Sequence, residues 1–322
     1  MRSDLHEAAR LLRDADRILI ASHVNPDGDA LGSMCALGHV LRALGKNVVM
    51  VSPDGVPDGY KFLPGSDRIV NQVSQNQQYD LCVTVDAENI GRLGQVADVL
   101  KSCKQTLDID HHPGGERTAD VQVLDANSSS SGEIVFEILK EMGVKISTPI
   151  AECLLTAIVT DTGCFRFSNV KPNTLRTAAS LIERGASISK VVRKVYETRP
   201  LSSAKLLGTA LSTLNTVENG RIAYASISQE QMAAAGADAA EAEGIVNYIR
   251  SVRGARVGLL FREEADGTTR VSLRAGEGMD VAQIARLFGG GGHKTAAGCT
   301  IHAPLSEAVH LVIGAVQKWM AS

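Results

Sequence analysis

The sequence predicts an α/β protein: a mostly parallel sheet in an N-terminal domain, then a smaller α+β domain joined by a helical connector. Three observations predict it. Short apolar runs alternate with helix-period segments through the first half, as in parallel strands covered by helices on both faces. An almost wholly helical stretch from Asn173 to Gly208, broken at Pro200, precedes a fresh start of strand and helix patterns. The chain's 322 residues suffice for two cores at ~100–200 residues per domain.

The elements follow in order. Arg17 to Ser22 (R-I-L-I-A-S) is a buried strand, and Asp29 to Leu44 a helix stopped by Gly45. Lys46–Val51, Tyr79–Val85 and Lys104–Ile109 supply three more strands, and helices fit Gly132–Met142 and Pro149–Val159. In the second domain, Arg221–Ile227 is a strand and Ala239–Val252 a helix. Arg256–Arg262 and Thr269–Arg274 form a hairpin around the turn A-D-G-T. The glycine run Gly289–Gly292 precedes a last strand and helix.

Composition excludes several classes of function. The net charge of -3 removes a broad basic surface for long nucleic acid, since such binding scales with phosphates neutralised. Aromatics at 4% are too few for an extended base-stacking platform. The N-terminus is charged from Arg2, unlike a signal peptide, and no apolar run approaches the ~20 residues of a membrane span. The six cysteines form no C-x-x-C pair and read as reduced core residues of a cytoplasmic protein.

Acids and histidines gather where strands end. The first strand runs into His23-Val24-Asn25-Pro26-Asp27-Gly28-Asp29, a tight turn that lets His23, Asp27 and Asp29 converge. The same segment also serves as a strand–turn–helix connection with Asp29 as N-cap. The third strand ends at Asp86, a position equally suited to a loop cap, and the fourth at Asp108-Ile109-Asp110-His111-His112. Asp161 closes a helix, where an acid opposes the macrodipole unless a cation is near. Ligands of open α/β sheets bind outside the carboxyl ends of the strands. Asp27, Asp29, Asp86 and Asp161 packed there repel one another, and two divalent ions would cancel their charge. Mixed Asp/His donors suit Mn²⁺ or a similar borderline metal better than Ca²⁺.

H-x-x-x-D-x-D, a strand-end aspartate, D-H-H and D-T-G, in that order, resemble the motifs of the DHH phosphoesterase superfamily. The resemblance implies two metal ions, Mn²⁺ first and Mg²⁺ or Co²⁺ as alternatives. It implies His23, Asp27, Asp29, Asp86, His111 and Asp161 as their ligands, with Asp86 bridging. His112 would face the scissile phosphate, with Asp110 orienting a histidine.

Near the C-terminus, Gly289-Gly290-Gly291-Gly292-His293-Lys294-Thr295-Ala296-Ala297-Gly298 resembles the G-G-G-H-x-x-A-A-G signature of the DHHA1 substrate domain. Consecutive glycines let backbone amides approach an anion, and they also serve as hinges. The resemblance covers nearly the whole chain and divides it into residues 1–197 (catalytic), 198–212 (connector) and 213–322 (substrate-binding). The connector would let the second domain swing onto the first. By the same resemblance Gly290, Gly291, Gly292, His293, Arg274 and Asn247 contact substrate, although Asn247 also fits a solvated helix face. Arg166 is a further phosphate contact; its neighbours Phe165 and Phe167 read as core. Ser130-x-x-Glu133 reads as a capping box.

Among DHH–DHHA1 proteins the arrangement resembles the stand-alone bacterial nano-RNase/pAp-phosphatase group. RecJ-type exonucleases and membrane-bound cyclic-dinucleotide phosphodiesterases carry further segments that this sequence lacks. The expected substrates are RNAs of ~2–5 nucleotides and nucleotide bisphosphates such as pAp, with hydrolysis of pApA as the near alternative and a non-catalytic nucleotide sensor as the distant one. Long duplex DNA and membranes are not expected partners; a homodimer is allowed.

Overall fold

The run R-I-L-I-A forms strand β1 (Arg17–Ala21), and its last four residues are buried. The computed structural model describes residues 2–74, 77–276 and 278–321. The described chain falls into two compact units, divided between Thr198 and Arg199.

In the first unit, β1 is joined by β2 (Asn47–Val51), β3 (Ile69–Val70), β4 (Leu81–Val85), β5 (Gln105–Asp110) and β6 (Val121–Leu124). The sheet order is β3-β2-β1-β4-β5-β6, and every pairing is parallel. The order reverses between β1 and β4, which opens a crevice at the carboxyl ends of those two strands. β3 and β6 were not expected. One has two residues and the other is half exposed, so neither carries a long apolar run.

Helices cover both faces. One face packs against α1 (Arg2–Asp14), α2 (Gly28–Ala43), α4 (Ser131–Glu141) and α5 (Thr148–Asp161), with Ile18, Ile20, Val83, Leu107 and Ile109 at the heart of the core. The other face buries Leu19, Ala21, Cys82, Val96 and Val99, the last two from α3 (Val96–Leu100). α6 (Pro172–Glu183) and α7 (Ile188–Tyr196) complete the unit. α1 was also unexpected; its charged sequence hides Ala8, Ala9, Leu11 and Leu12, which are buried at helical spacing.

Contrary to the expectation of six reduced thiols, Cys82 and Cys103 form a disulfide, their Cα atoms 6.1 Å apart. Parallel pairing of β4 with β5 sets Cys82 against Thr106, which brings the preceding Cys103 into reach. Cys35, Cys153, Cys164 and Cys299 are free.

The second unit holds α8 (Leu201–Ser212), β7 (Asn215–Val217), β8 (Ile222–Ile227), α9 (Gln229–Ala235), α10 (Ile245–Arg250), β9 (Val257–Glu263), β10 (Thr269–Ala275), α11 (Val281–Arg286), β11 (Gly291–His293), β12 (Ala296–Ile301) and α12 (Leu305–Ala321). Its mixed sheet has the order β11-β12-β10-β9-β8-β7, with only β8 and β9 parallel. The A-D-G-T hairpin forms as expected. The single helix expected over 239–252 does not: Gly244, at φ +80°, separates a 3₁₀ turn at Ala240–Ala242 from α10. α8 buries Leu206 and Ala210 in the core of this unit. No described helix is long and apolar enough to cross a membrane.

Helix α2 lies closest to α5 at Gly32. A Cβ there would meet the carbonyl oxygen of Cys153 and come 3.1 Å from the amide nitrogen of Ala157. Backbone atoms cannot yield as a side chain can, so Gly32→Ala must push the helices apart. It should destabilise the first unit by about 1–3 kcal/mol, read as a lower urea midpoint at unchanged slope.

Candidate metal centre

The segment after β1 turns sharply at Asn25 (φ 52°) and enters α2. Asp27, not Asp29, is the N-cap; its Oδ1 accepts from the amides of Asp29 and Ala30, both at 3.0 Å. Asp29, freed from capping, is fully buried. Its Oδ2 accepts from the Ser131 amide at 2.6 Å, and its Oδ1 from the Gly132 amide at 2.9 Å and Ser33 Oγ at 3.1 Å. The amino end of α4 therefore grips a carboxylate of α2. Asp86 leaves β4 with φ 58°, a left-handed conformation rare outside glycine, and accepts from Ser131 Oγ at 3.1 Å. Asp161 ends α5 and is held by Asn169, whose Nδ2 reaches its Oδ2 at 3.1 Å and its carbonyl at 3.1 Å.

These groups converge. His111 Nε2 lies 3.8 Å from Asp29 Oδ2, 3.6 Å from Asp86 Oδ1 and 3.7 Å from Asp161 Oδ2. His23 Nε2 lies 3.8 Å from Asp86 Oδ2. Such separations are too long for hydrogen bonds, yet shorter than twice a metal–ligand bond of roughly 2.0–2.2 Å. One cation between such donors would touch both. Three overlapping donor sets emerge: His23–Asp27–Asp86, Asp29–His111–Asp161 and Asp86–Asp110–His111–His112. The donor chemistry fits divalent cations.

Electrostatics point the same way. Burial, then the charge of Asp27, pushes Asp29 up to about 8 against the pull of its hydrogen bonds. Burial and the neighbouring carboxylates raise Asp86 and Asp161 well above the carboxylate range. Burial lowers His23, favouring the neutral imidazole that a metal needs.

Behind the cluster lies a second network. Burial works to raise Asp110, but hydrogen bonds and charge from His112, then Arg117, outweigh it and hold Asp110 ionised. Asp110 Oδ1 meets His112 Nδ1 at 2.7 Å, and Oδ2 accepts from the Glu88 amide at 2.6 Å and Arg117 Nη1 at 3.0 Å. Arg117 Nη1 also reaches Asp108 Oδ2 at 2.5 Å, and its Nη2 reaches the His112 carbonyl at 3.2 Å. Sequence reading missed Arg117, Asn169 and Ser131, since isolated polar residues in loops and helix starts carry no periodic signal. The Ser130/Glu133 pair is only half a capping box: Ser130 Oγ accepts from the Glu133 amide, but Glu133 binds Ser129.

The remaining expected residues lie in two places. Arg166 is exposed on the first unit, its Nε donating to the Gly163 carbonyl at 2.6 Å. In the second unit Arg274 of β10 stands opposite Ala296, and Ala296 opposite His293, so one row of the sheet joins them. The His293 backbone lies in β11; its side chain is outside the described residues. Gly290 packs so closely on β12 that a Cβ would meet the Gly298 carbonyl oxygen, Gly291 pairs with Gly298, and Gly292, at φ +133°, holds a conformation that other residues rarely adopt. Asn247 is exposed on α10.

A carboxylate–imidazole cluster at the point where a parallel sheet reverses is the place and the donor chemistry of a cation-binding site. Residues 17–158 match the DHH family, N-terminal domain, and residues 219–322 match the DHHA1 domain. The chain belongs to the DHH family and is a hydrolase acting on phosphate ester bonds. It is 33% identical over 302 residues to the bifunctional oligoribonuclease and PAP phosphatase NrnA of Thermus thermophilus, covering 94% of this chain and 89% of that one. The Bacillus subtilis protein of the same name is 33% identical over 92% of this chain and 93% of its own. An exopolyphosphatase-related protein from Bacteroides fragilis superposes with TM-score 0.95 at 28% identity, over 99% of this chain and 97% of that one.

Two outcomes follow from this geometry. Without cations, folded Asp29 keeps to about pH 8 a proton that the unfolded chain releases near 4, so stability falls as pH rises between them. A divalent cation replaces that proton. The gain in melting temperature on adding Mn²⁺ should therefore grow from about pH 6 to about pH 8; a constant gain would contradict this. Arg117→Ala leaves Asp108 and Asp110 buried without their cation and should destabilise by roughly 3–5 kcal/mol in urea denaturation.

Proposed function

We propose that this protein hydrolyses short oligoribonucleotides to mononucleotides and removes the 3′-phosphate of 3′-phosphoadenosine 5′-phosphate, pAp. One observation carries the reading. A chain alignable almost end to end with bifunctional oligoribonucleases and PAP phosphatases gathers eight aspartates and histidines at the sheet's reversal point.

In this reading His23, Asp27, Asp29, Asp86, His111 and Asp161 would hold two divalent ions, Asp86 being the ligand that both would share. Mn²⁺ suits the mixture of imidazole and carboxylate, and Mg²⁺ or Co²⁺ can substitute. The ions, when bound, supply Lewis acidity and lower the pKa of water. Asp110, kept ionised by His112 itself and then by Arg117, holds the Nδ1 proton of His112 and fixes its ring. His112 thereby presents its other nitrogen to the substrate phosphate and assists the leaving oxygen. Residues 1–197 carry this chemistry. Residues 213–322 bind the rest of the substrate through Arg274, Asn247, His293 and the amides of Gly290, Gly291 and Gly292, with Arg166 as a contact from the catalytic side. The near-neutral charge favours short substrates over long duplex DNA.

The test is a substrate panel with Mn²⁺: a ribodinucleotide, pAp, pApA, pyrophosphate and long duplex DNA. The dinucleotide and pAp should be consumed, and Asp86→Ala should lose more than about 100-fold in kcat/KM, beyond the loss typical of a ligand's supporting partner. Turnover of pyrophosphate or duplex alone would overturn the assignment.

A further inference from the structure

The sheet of the second unit carries two arginines on one face; Glu243 acts on Arg274 through space, and no carboxylate of the described residues pairs with Arg270. Along β10, Val271, Leu273 and Ala275 enter the core, while Arg270, Ser272 and Arg274 alternate onto the opposite face. Pairing extends this face across β12 and β11. Arg270 stands opposite Thr300, and Ser272 opposite Gly298, which is itself opposite Gly291. Between the arginines the face is therefore built of serine and glycine, with no bulky side chain. α10 covers the adjacent strand β9, where Gly258, opposite Arg274, packs against the backbone of Arg250, and it also meets β10.

Arg270 Nη1 donates to Thr300 Oγ1 at 3.2 Å. Its Nη2 lies 3.5 Å from where a Cβ of Gly298 would be, so the guanidinium leans over a glycine toward the Ser272 row. That row is one side-chain period from the Arg274 row, roughly 6.8 Å at about 3.4 Å per residue. This is of the order of one internucleotide step in an extended strand. Among the described residues neither arginine forms an ion pair, whereas Arg262, opposite Arg270 on β9, is neutralised by Glu264 at 2.6 Å.

We propose that Arg270 binds a second phosphate of an RNA strand, one step beyond the phosphate at Arg274, so that this face selects among substrates by length. The inference rests on the oligoribonuclease reading above. Charge complementarity supports it, because two cations spaced along one strand, the outer one leaning toward the inner, match a run of phosphates better than a single nucleotide bisphosphate. The face also bears no aromatic side chain on β10 or β12, so it would follow the backbone and not the bases.

The test compares the full chain with Arg270→Ala and Arg270→Lys, each checked by thermal melting. Kinetics with Mn²⁺ would run over pAp and ribonucleotides of two, three and four residues. Anisotropy in EDTA would follow binding of a labelled phosphorothioate tetranucleotide. In R270A the ratio of kcat/KM for the tetranucleotide to that for pAp should fall about tenfold, through KM, the scale of one lost charge-assisted contact. The slope of log KM for the tetranucleotide against log salt should flatten by about 0.7. R270K should recover part of the loss, since a point charge remains. An equal loss on every substrate, or none on the tetranucleotide, overturns the inference. If the wild-type chain consumes neither RNA nor pAp, the functional reading fails on its own. The binding isotherms then still decide Arg270: equal affinity of wild type and R270A overturns its role, and weaker binding by R270A upholds it.

Discussion

The first unit is organised around carboxylates that repel one another and are nevertheless buried together. Asp29 and Asp86 are almost completely shielded from solvent, and Asp161 lies beside them. In a medium of low polarity their mutual repulsion far exceeds its value in water. Without cations the folded chain meets this by keeping protons; with them, by sharing positive charge. The surrounding architecture serves that cluster. Reversal of the sheet between β1 and β4 opens the space, the amino end of α4 offers amides to Asp29, and the left-handed turn at Asp86 directs a strand-end side chain sideways.

Much of this was legible in the residues. The apolar runs of β1, β2, β4 and β5 are continuous because both faces of the sheet are covered, so each stands out against its polar flanks. The motifs at their ends are local in sequence and therefore readable. The elements that escaped notice lack that contrast. β3 spans two residues, β6 is half exposed, and α1 mixes charge with its buried stripe. Gly244 divides a segment whose composition is helical throughout, because a left-handed backbone is set by context as much as by residue type.

The site shows the same division. Acids and histidines at strand ends announce themselves, but their supports do not. Arg117 follows Asp110 by seven positions in a glycine-containing loop, and only the folded chain turns it back between Asp108 and Asp110. Ser131 could be read as a helix start, yet not as a donor to residues of α2 and β4. Asp27 and Asp29 were interchangeable as caps on paper. The structure separates them: Asp27 caps α2, while Asp29, two positions on, is buried against the amino end of α4.

The link between Asp29 and α4 bears on how the chain assembles. Its contributors come from α2, β4, β5 and the far end of α5, elements scattered along nearly the whole first unit. Contacts of such long range form late, after the entropy of closing the intervening loops has been overcome. A nascent chain that has not yet delivered α5 holds only part of the donor set. A chain without the end of α5 therefore lacks Asp161, and with it one of the donors that a cation there would need.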